Sequence, residues 1–439
     1  MKTIIKCTLA SVLMLFSLSI SAQKRNLDNF RQPDKNGLNV FESPKDTVST
    51  FDGVKVRIGG SSTLQFQALD HENGWIETND NTSPWFDVEP LAKIGSNFNL
   101  ATANLDLDVA LADGVRMHLR TYLSSRNHPE PYVKGGYFQI DKLDFISDGL
   151  LENFMKYATL KIGHMENNYG DAHFRRSDNA QTIYNPFVGN LIMDAFTTEV
   201  GAELYYRRNG LITMVGMANG KLNQSAENPI SRGTGNYTSD YTGGASFLAK
   251  LGYDKQLNDD FRFRLTGSLY NTGFTPNLYL YSADRTGSRY YNVMEEQGSS
   301  GFRSGRFAPS FRNSVTAIMI NPFLKYGGLE FFGTFESVSG KSRGDTESRN
   351  TTQIAGELIY RFGQSENFYL GTRYNTVDSE ENSGDVTIDR FQLSAGWFMT
   401  NNILMKLEYV NQEYDGYNPG NIFNNGKFDG FMAEAVISF

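Results

Sequence analysis

Apolar and polar residues alternate along most of the chain after residue 53. In 403–410, Ile403, Met405, Leu407 and Tyr409 fall on one face, Lys406 and Glu408 on the other. The last segment repeats this, with Phe431, Ala433, Ala435, Ile437 and Phe439 set against Met432, Glu434, Val436 and Ser438. Leu105, Leu107, Val109 and Leu111 alternate with Asp106, Asp108 and Ala110, and Val115, Met117 and Leu119 with Arg116, His118 and Arg120. A period of two predicts strands, each with one greasy and one charged face. About 16 such segments are expected, near 54–69, 97–111, 115–126, 136–144, 157–164, 197–207, 211–219, 241–255, 260–271, 313–324, 329–338, 352–362, 367–377, 386–399, 402–414 and 429–439. The period-two signal is weak per segment, so counts of 14 or 18 also satisfy it.

The connections alternate in length. Short ones at Ala112-Asp113-Gly114, Arg208-Asn209-Gly210, Asn258, Gly327-Gly328, Gln364 and Asn401-Asn402 have hairpin chemistry. Between them fall long ones rich in Asn, Asp, Gly and Ser, at 70–96, 127–135, 165–196, 220–240, 272–312, 339–351, 378–385 and 415–428. Connection 145–156 breaks the rule, being long for its rim and a candidate for helix. Tight turns at one rim, long loops at the other and an even strand count predict an all-β, transmembrane antiparallel β-barrel with short periplasmic turns and long extracellular loops. Hydrocarbon forces closure, because unpaired strand-edge N–H and C=O groups have no partner there. A soluble β-fold would need a repeat or two apolar inner faces, and no repeat of about 20–50 residues is found.

Composition agrees. Apolar residues make up 39%, yet there are 42 Gly, 32 Phe and 23 Tyr against 3 Trp, which is poor material for a conventional core. A net charge of −8 gives no case for nucleic acid as a partner. Residues 1–22 order Lys2 and Lys6, the apolar run Leu9–Ile20 and Ser21-Ala22 as a secretory signal peptide does. The single cysteine, Cys7, lies within it, so the mature chain has no disulfide or thiolate chemistry. Residues 23–53 are polar and carry Pro33 and Pro44, reading as a periplasmic N-terminal tail or small plug; 54–439 read as the barrel.

Alternation places Lys55, Arg57, Arg116, Arg120, Lys161, Arg207, Lys250, Arg262, Arg264, Arg361, Arg373 and Lys406 on the inner face. Asp106, Asp108, Asp141, Glu199, Glu203, Glu330, Glu357, Glu408 and Glu434 share it. Arg or Lys on the lipid face at mid-depth would cost about 2–4 kcal/mol. Arg116, Arg120, Arg262 and Arg264 would favour anions, unless these charges simply pair along the wall. Segment 165–196 is the candidate constriction: it carries Arg175 and Arg176, expected to oppose acids across the pore, and an apolar run, Leu191-Ile192-Met193, to anchor it. His164, Glu166, Asp171 and His173 match no standard metal spacing, so loop hydrogen bonding is the default reading and no metal or cofactor is assigned. No Ser-His constellation or phosphate-binding glycine loop stands out, so no catalytic residue is assigned.

The leader, the alternating strands, Leu160-Lys161-Ile162-Gly163-His164 running into Asn168-Tyr169-Gly170, and the terminal Phe439 resemble Gram-negative outer-membrane porins, and most of all relatives of the phosphate-selective porin O and P family. The resemblance covers about 54–439 and is chiefly topological. It implies a 16-stranded homotrimer, surrounded by outer-membrane lipid and lipopolysaccharide and inserted by the barrel-assembly machinery through the last strand and Phe439. The family's phosphate selectivity rests on a ladder of basic residues. Here acids interleave with them, so diffusion of small polar solutes and ions is the expected function, with phosphate specificity not carried over. An adhesin or receptor working through loops 70–96 and 272–312, the latter with Arg285, Tyr290 and Tyr291, is the alternative. A lipid hydrolase or fatty-acid channel fits the charged inner face poorly.

Overall fold

A computed structural model describes residues 27–74, 91–124, 131–178, 180–220, 244–273, 275, 278–281, 291–298, 305–342 and 345–439. The leader, most of loop 70–96, much of 220–240 and the Arg285–Tyr290 stretch lie outside them. The described residues form sixteen strands closed into one antiparallel barrel. One side comprises β1 (Lys55–Glu72), β2 (Asn97–Ala112), β3 (Val115–Ser124), β4 (Tyr132–Ile140), β5 (Ala158–Glu166), β6 (Thr198–Arg208) and β7 (Leu211–Ala218). The other comprises β8 (Ser246–Gln256), β9 (Phe261–Thr272), β10 (Ser314–Tyr326), β11 (Leu329–Lys341), β12 (Arg349–Phe362), β13 (Phe368–Glu381), β14 (Gly384–Thr400), β15 (Ile403–Asp415) and β16 (Lys427–Ser438). Pairing of β1 with β16, from Ser61 opposite Ser438 to Glu72 opposite Lys427, seals the ring.

Several boundaries differ from the sequence reading, the start of β8 at Ser246 instead of 241 among them. Strand β4 lies four residues earlier than expected, because Gly135, which reads as loop, sits with Gly136 in the ladder opposite Arg120 and Leu119 beside a register shift. The expected long connection 378–385 is a tight hairpin, since β13 runs to Glu381 and β14 begins at Gly384. Connection 141–157 does contain a one-turn helix, Glu152–Met155.

The alternation is realised as an apolar outer face and a charged inner face. Leu64, Leu105, Ile162, Leu251, Ile318, Leu358, Leu370, Leu393 and Leu407 are exposed on the outside. Exposed aromatics cluster towards both rims: Tyr253, Tyr326, Tyr360, Phe362, Phe368, Trp397 and Phe439 on the turn side, and Phe98, Phe247, Tyr374, Phe391 and Phe431 on the loop side. Such paired girdles are expected where a barrel wall meets two membrane–water boundaries. No helix among the described residues is long and apolar enough to cross a membrane.

One local irregularity positions the interior. Pro322 in β10 has no N–H to give to β11. Asn321 substitutes: its side-chain amide donates to Gly333 O at 3.0 Å and Thr334 Oγ1 at 3.1 Å. Gly333 is required opposite, because a Cβ there would come within 2.8 Å of Pro322 Cγ. The Asn321 carbonyl oxygen is thereby turned inward, where it accepts from Asp171 N at 2.8 Å.

Candidate functional site

The interior is the candidate site, and its largest occupant among the described residues is the segment between β5 and β6, residues 167–197. It folds into the barrel, as its apolar run predicts. A loop buried in this way must find partners for every backbone polar group. The wall supplies them. Loop N–H groups of Asn168, Val188, Ile192 and Met193 donate to Glu203, Glu408, Asn375 and Gln353 at 2.8, 2.8, 2.7 and 2.9 Å. Loop carbonyls of Gly170, Gly189, Asn190 and Phe187 accept from Lys250, Arg373, Arg390 and Lys406 at 2.8, 2.9, 2.6 and 2.9 Å. Gly170 adopts φ +69°, and a side chain there would collide with Met319, so the loop turns tightly against β10.

Apolar packing completes the docking. Val188, Ile192 and Met193 enter a buried cluster with Leu278, Leu280, Tyr281, Tyr291 and Val293 of the connection between β9 and β10, and with wall residues Val315, Met319, Val377, Val410 and Met432. Phe187 packs with Ile183, Tyr184, Ile359, Tyr369, Phe398 and Leu404 nearer the turn side. Several wall carboxylates meet loop tyrosines: Glu336 accepts from Tyr169 at 3.0 Å and Tyr281 at 2.6 Å, and Glu408 from Tyr291 at 2.6 Å.

The segment 27–53 occupies the turn-side mouth. Lys35 N donates to Asn401 O at 2.8 Å, and the Lys35 ammonium donates to Ser365 O and Asn367. Phe41 is buried against Phe323 and Phe332. Lys45 pairs with Asp141 at 2.9 Å. At the segment's centre, Glu42 pairs with Arg264 at 2.8 Å, and Arg264 pairs with Asp171 of the loop at 2.8 Å. Lys250 reaches the same Asp171 at 3.0 Å, and Thr266 donates to it at 2.7 Å. Burial alone would raise both carboxyls, but Arg264 and Lys250 overcome it: Glu42 is lowered to about 2 and Asp171 is held well below the carboxylate range. One buried network therefore ties segment, loop and wall together.

Against this frame the predicted residues separate into groups. Arg116 and Arg120 do not join Arg262 and Arg264. Arg120 forms a two-point pair with Asp106 at 2.7 and 2.6 Å, and Arg116 and His118 meet Asp108 at 3.0 and 2.8 Å. Arg262 pairs with Asp254 at 2.6 Å across the β8–β9 hairpin. Arg175 reaches across to Glu357 on β12 at 3.2 Å, whereas Arg176 is taken up within its own loop by Asp194 at 2.6 Å and Asp178 at 3.2 Å. Glu203 holds Asn168 N and Tyr205. Lys161 lies half-buried between the rings of Tyr137 and Tyr205, at 5.6 and 5.2 Å. Phe439 is exposed at the turn-side rim, its N donating to Gly60 O at 3.0 Å.

The four residues weighed as a metal set do not converge. His173 contacts Glu166 at 3.2 Å and Asn168 at 3.0 Å, Asp171 belongs to the Arg264 network, and His164 meets Thr198 at 3.0 Å. Among the described residues no group of three such side chains is arranged to hold a metal ion.

Between loop and wall a cavity of about 170 Å³ remains on the β2–β6 side. Arg31, Arg116, Arg120, Lys134, Lys161, Asp106, Asp108, Glu166, His118 and His173 face it, interleaved with Phe30, Tyr137, Phe174, Tyr184 and Tyr205. Sequence reasoning missed Arg31, whose guanidinium lies 3.6 Å over the Tyr184 ring and donates to Gly37 O and Phe174 O at 3.1 and 3.2 Å. Burial lowers its pKa to about 10. Nothing in the alternation could flag it, since it precedes the first strand.

No protein-family model matches the sequence, and no curated protein matches it. Similar solved structures exist. A loop-deletion variant of OmpT, an outer membrane protein of Vibrio cholerae, shares 11% identity over 88% of this chain and 100% of its own, with a TM-score of 0.50. The outer membrane channel DcaP of Acinetobacter baumannii gives 11%, 89%, 99% and 0.48, and an anion-selective porin from Comamonas acidovorans 9%, 88%, 100% and 0.48. At these identities the likeness bears on barrel architecture alone.

Proposed function

We propose that the chain is an outer-membrane porin that passes small polar solutes and ions by passive diffusion along the β2–β6 side of its lumen, with a preference for anions. The observation that carries this reading is the charged cavity left beside the docked loop inside a closed, outwardly apolar barrel. Its lining carries five Arg and Lys side chains against three acids, with Arg31 and Lys161 in no ion pair among the described residues, so the surplus is positive and a narrow passage selects by that sign. Interleaved Asp106 and Asp108 argue for general anion preference over phosphate specificity. The chain acts as a channel and not an enzyme, with no cofactor. The aromatic girdles would sit at the boundaries of a Gram-negative outer membrane, among its lipids and lipopolysaccharide. Phe439 would be read by the barrel-assembly machinery, and the working form would be a homotrimer.

Planar-bilayer recording of the refolded protein tests this. Expected are stable steps in threes, a reversal potential in a KCl gradient displaced towards chloride, and little block on titrating phosphate. No steps from a folded barrel, or a reversal towards potassium, would sink the reading.

A further inference from the structure

We propose that the β2–β6 cavity is a saturable site for one small organic carboxylate of about benzoate size, its carboxylate held by Lys161 and Arg31 and its ring laid among the surrounding aromatics. The proposal deepens the porin reading and rests on it for its role in transport, but the binding itself can be measured apart from conduction.

The charge argument comes first. The Lys161 ammonium makes no hydrogen bond or ion pair among the described residues and lies near the Tyr137 and Tyr205 rings, while Glu203, its cross-strand neighbour on β6, is taken up by Asn168 N and Tyr205. Arg31 donates to two backbone carbonyls and to no carboxylate. The acids beside them are already committed: Asp106 to Arg120, Asp108 to Arg116 and His118, and Glu166 to His173 and Gln181. Two cations facing a confined space with no ion-pair partner, Arg31 feeling Glu166 and Glu42 only at longer range, favour an anion there. Its size and lining narrow the anion's class. An engineered apolar cavity of about 150 Å³ takes up benzene, and this one is about 170 Å³. Rings of Tyr137, Phe174, Tyr184 and Tyr205 would cover the faces of a flat ligand, which inorganic phosphate would leave unused.

The test is calorimetric titration of the full barrel, refolded in detergent, with benzoate, benzamide and inorganic phosphate. Benzoate should bind one per chain and saturably, and the other two at least about tenfold more weakly, because benzamide lacks the charge and phosphate the ring. K161Q should weaken benzoate about tenfold or more, and K161R, which restores the charge, should recover most of it. R31Q, outside the strands, repeats the test without touching the wall. Absence of saturable benzoate binding, or equal binding of benzamide or phosphate, overturns the proposal. A chloride-conducting barrel that does not bind benzoate removes this site and leaves the porin reading. A non-conducting barrel that binds it removes the porin reading and leaves the site.

Discussion

The two halves of the lumen start from the same material and end differently. On the β8–β16 side, wall charges such as Arg373, Arg390, Lys406 and Glu408 point inward and are spent on the backbone of the docked loop. On the β2–β6 side, Asp106, Asp108, Arg116 and Arg120 point inward equally but pair with one another, leaving space. The difference teaches that a charged inner face is not in itself a pore lining. What decides is whether a loop with apolar anchors, here Phe187, Ile192 and Met193, arrives to claim the hydrogen bonds.

The contrast can be broken most forcefully by removing residues 185–193, which carry the bonds to Arg373, Arg390, Lys406 and Glu408. The packed side should then resemble the open one, and single-channel conductance should rise several-fold; an unchanged value would mean the loop does not limit flow. Asp171→Leu comes next. It leaves Lys250 buried with Glu42 and Arg264 with Glu42 and Asp254, at an expected cost of about 3–5 kcal/mol in urea unfolding from micelles, whereas no change would mean the network does not hold the interior. Acid should act on the same network. Both carboxyls are depressed in the folded protein, so their stabilisation is fully present above the ordinary carboxylate range and is lost as pH falls through the folded values, about 2 for Glu42. Segment 27–53 should resist proteolysis at pH 4 and become cleavable near pH 2 by an acid-active protease; release already at pH 5 would contradict this. The smallest effect belongs to the open side. Asp106→Asn keeps an acceptor for Arg120 beside a polar cavity and should cost about 2 kcal/mol, the worth of a hydrogen bond to a charged group, while moving the reversal potential further towards chloride. A loss as large as that of Asp171→Leu would erase the distinction between the two sides.

Much of this was legible in the sequence. The period of two located the strands and assigned the inner face correctly from Lys55 to Glu434, because membrane and lumen impose opposite polarity on neighbouring positions. It erred at several boundaries: Gly135 reads as loop yet lies in a ladder, and 378–385 reads as a long connection where a two-residue hairpin suffices. The partnerships were not legible. Arg116 and Arg264 are alike by alternation, and only the three-dimensional path of loop 167–197 gives Arg264 to Asp171 and leaves Arg116 to Asp108. Arg31 belongs to a segment with no periodicity, so no pattern could have placed its side chain over Tyr184.

The position of segment 27–53 also constrains chronology. It precedes β1 in the chain yet lies within a ring that β1 and β16 close, threaded beneath Arg264 and against Phe174. A finished barrel would have to swallow this strap through its own mouth, past the side chains that now clasp it. The simpler order is that strap and loop gather against an unsealed, curling sheet, with the β1–β16 seam zipping last around a cargo already in place.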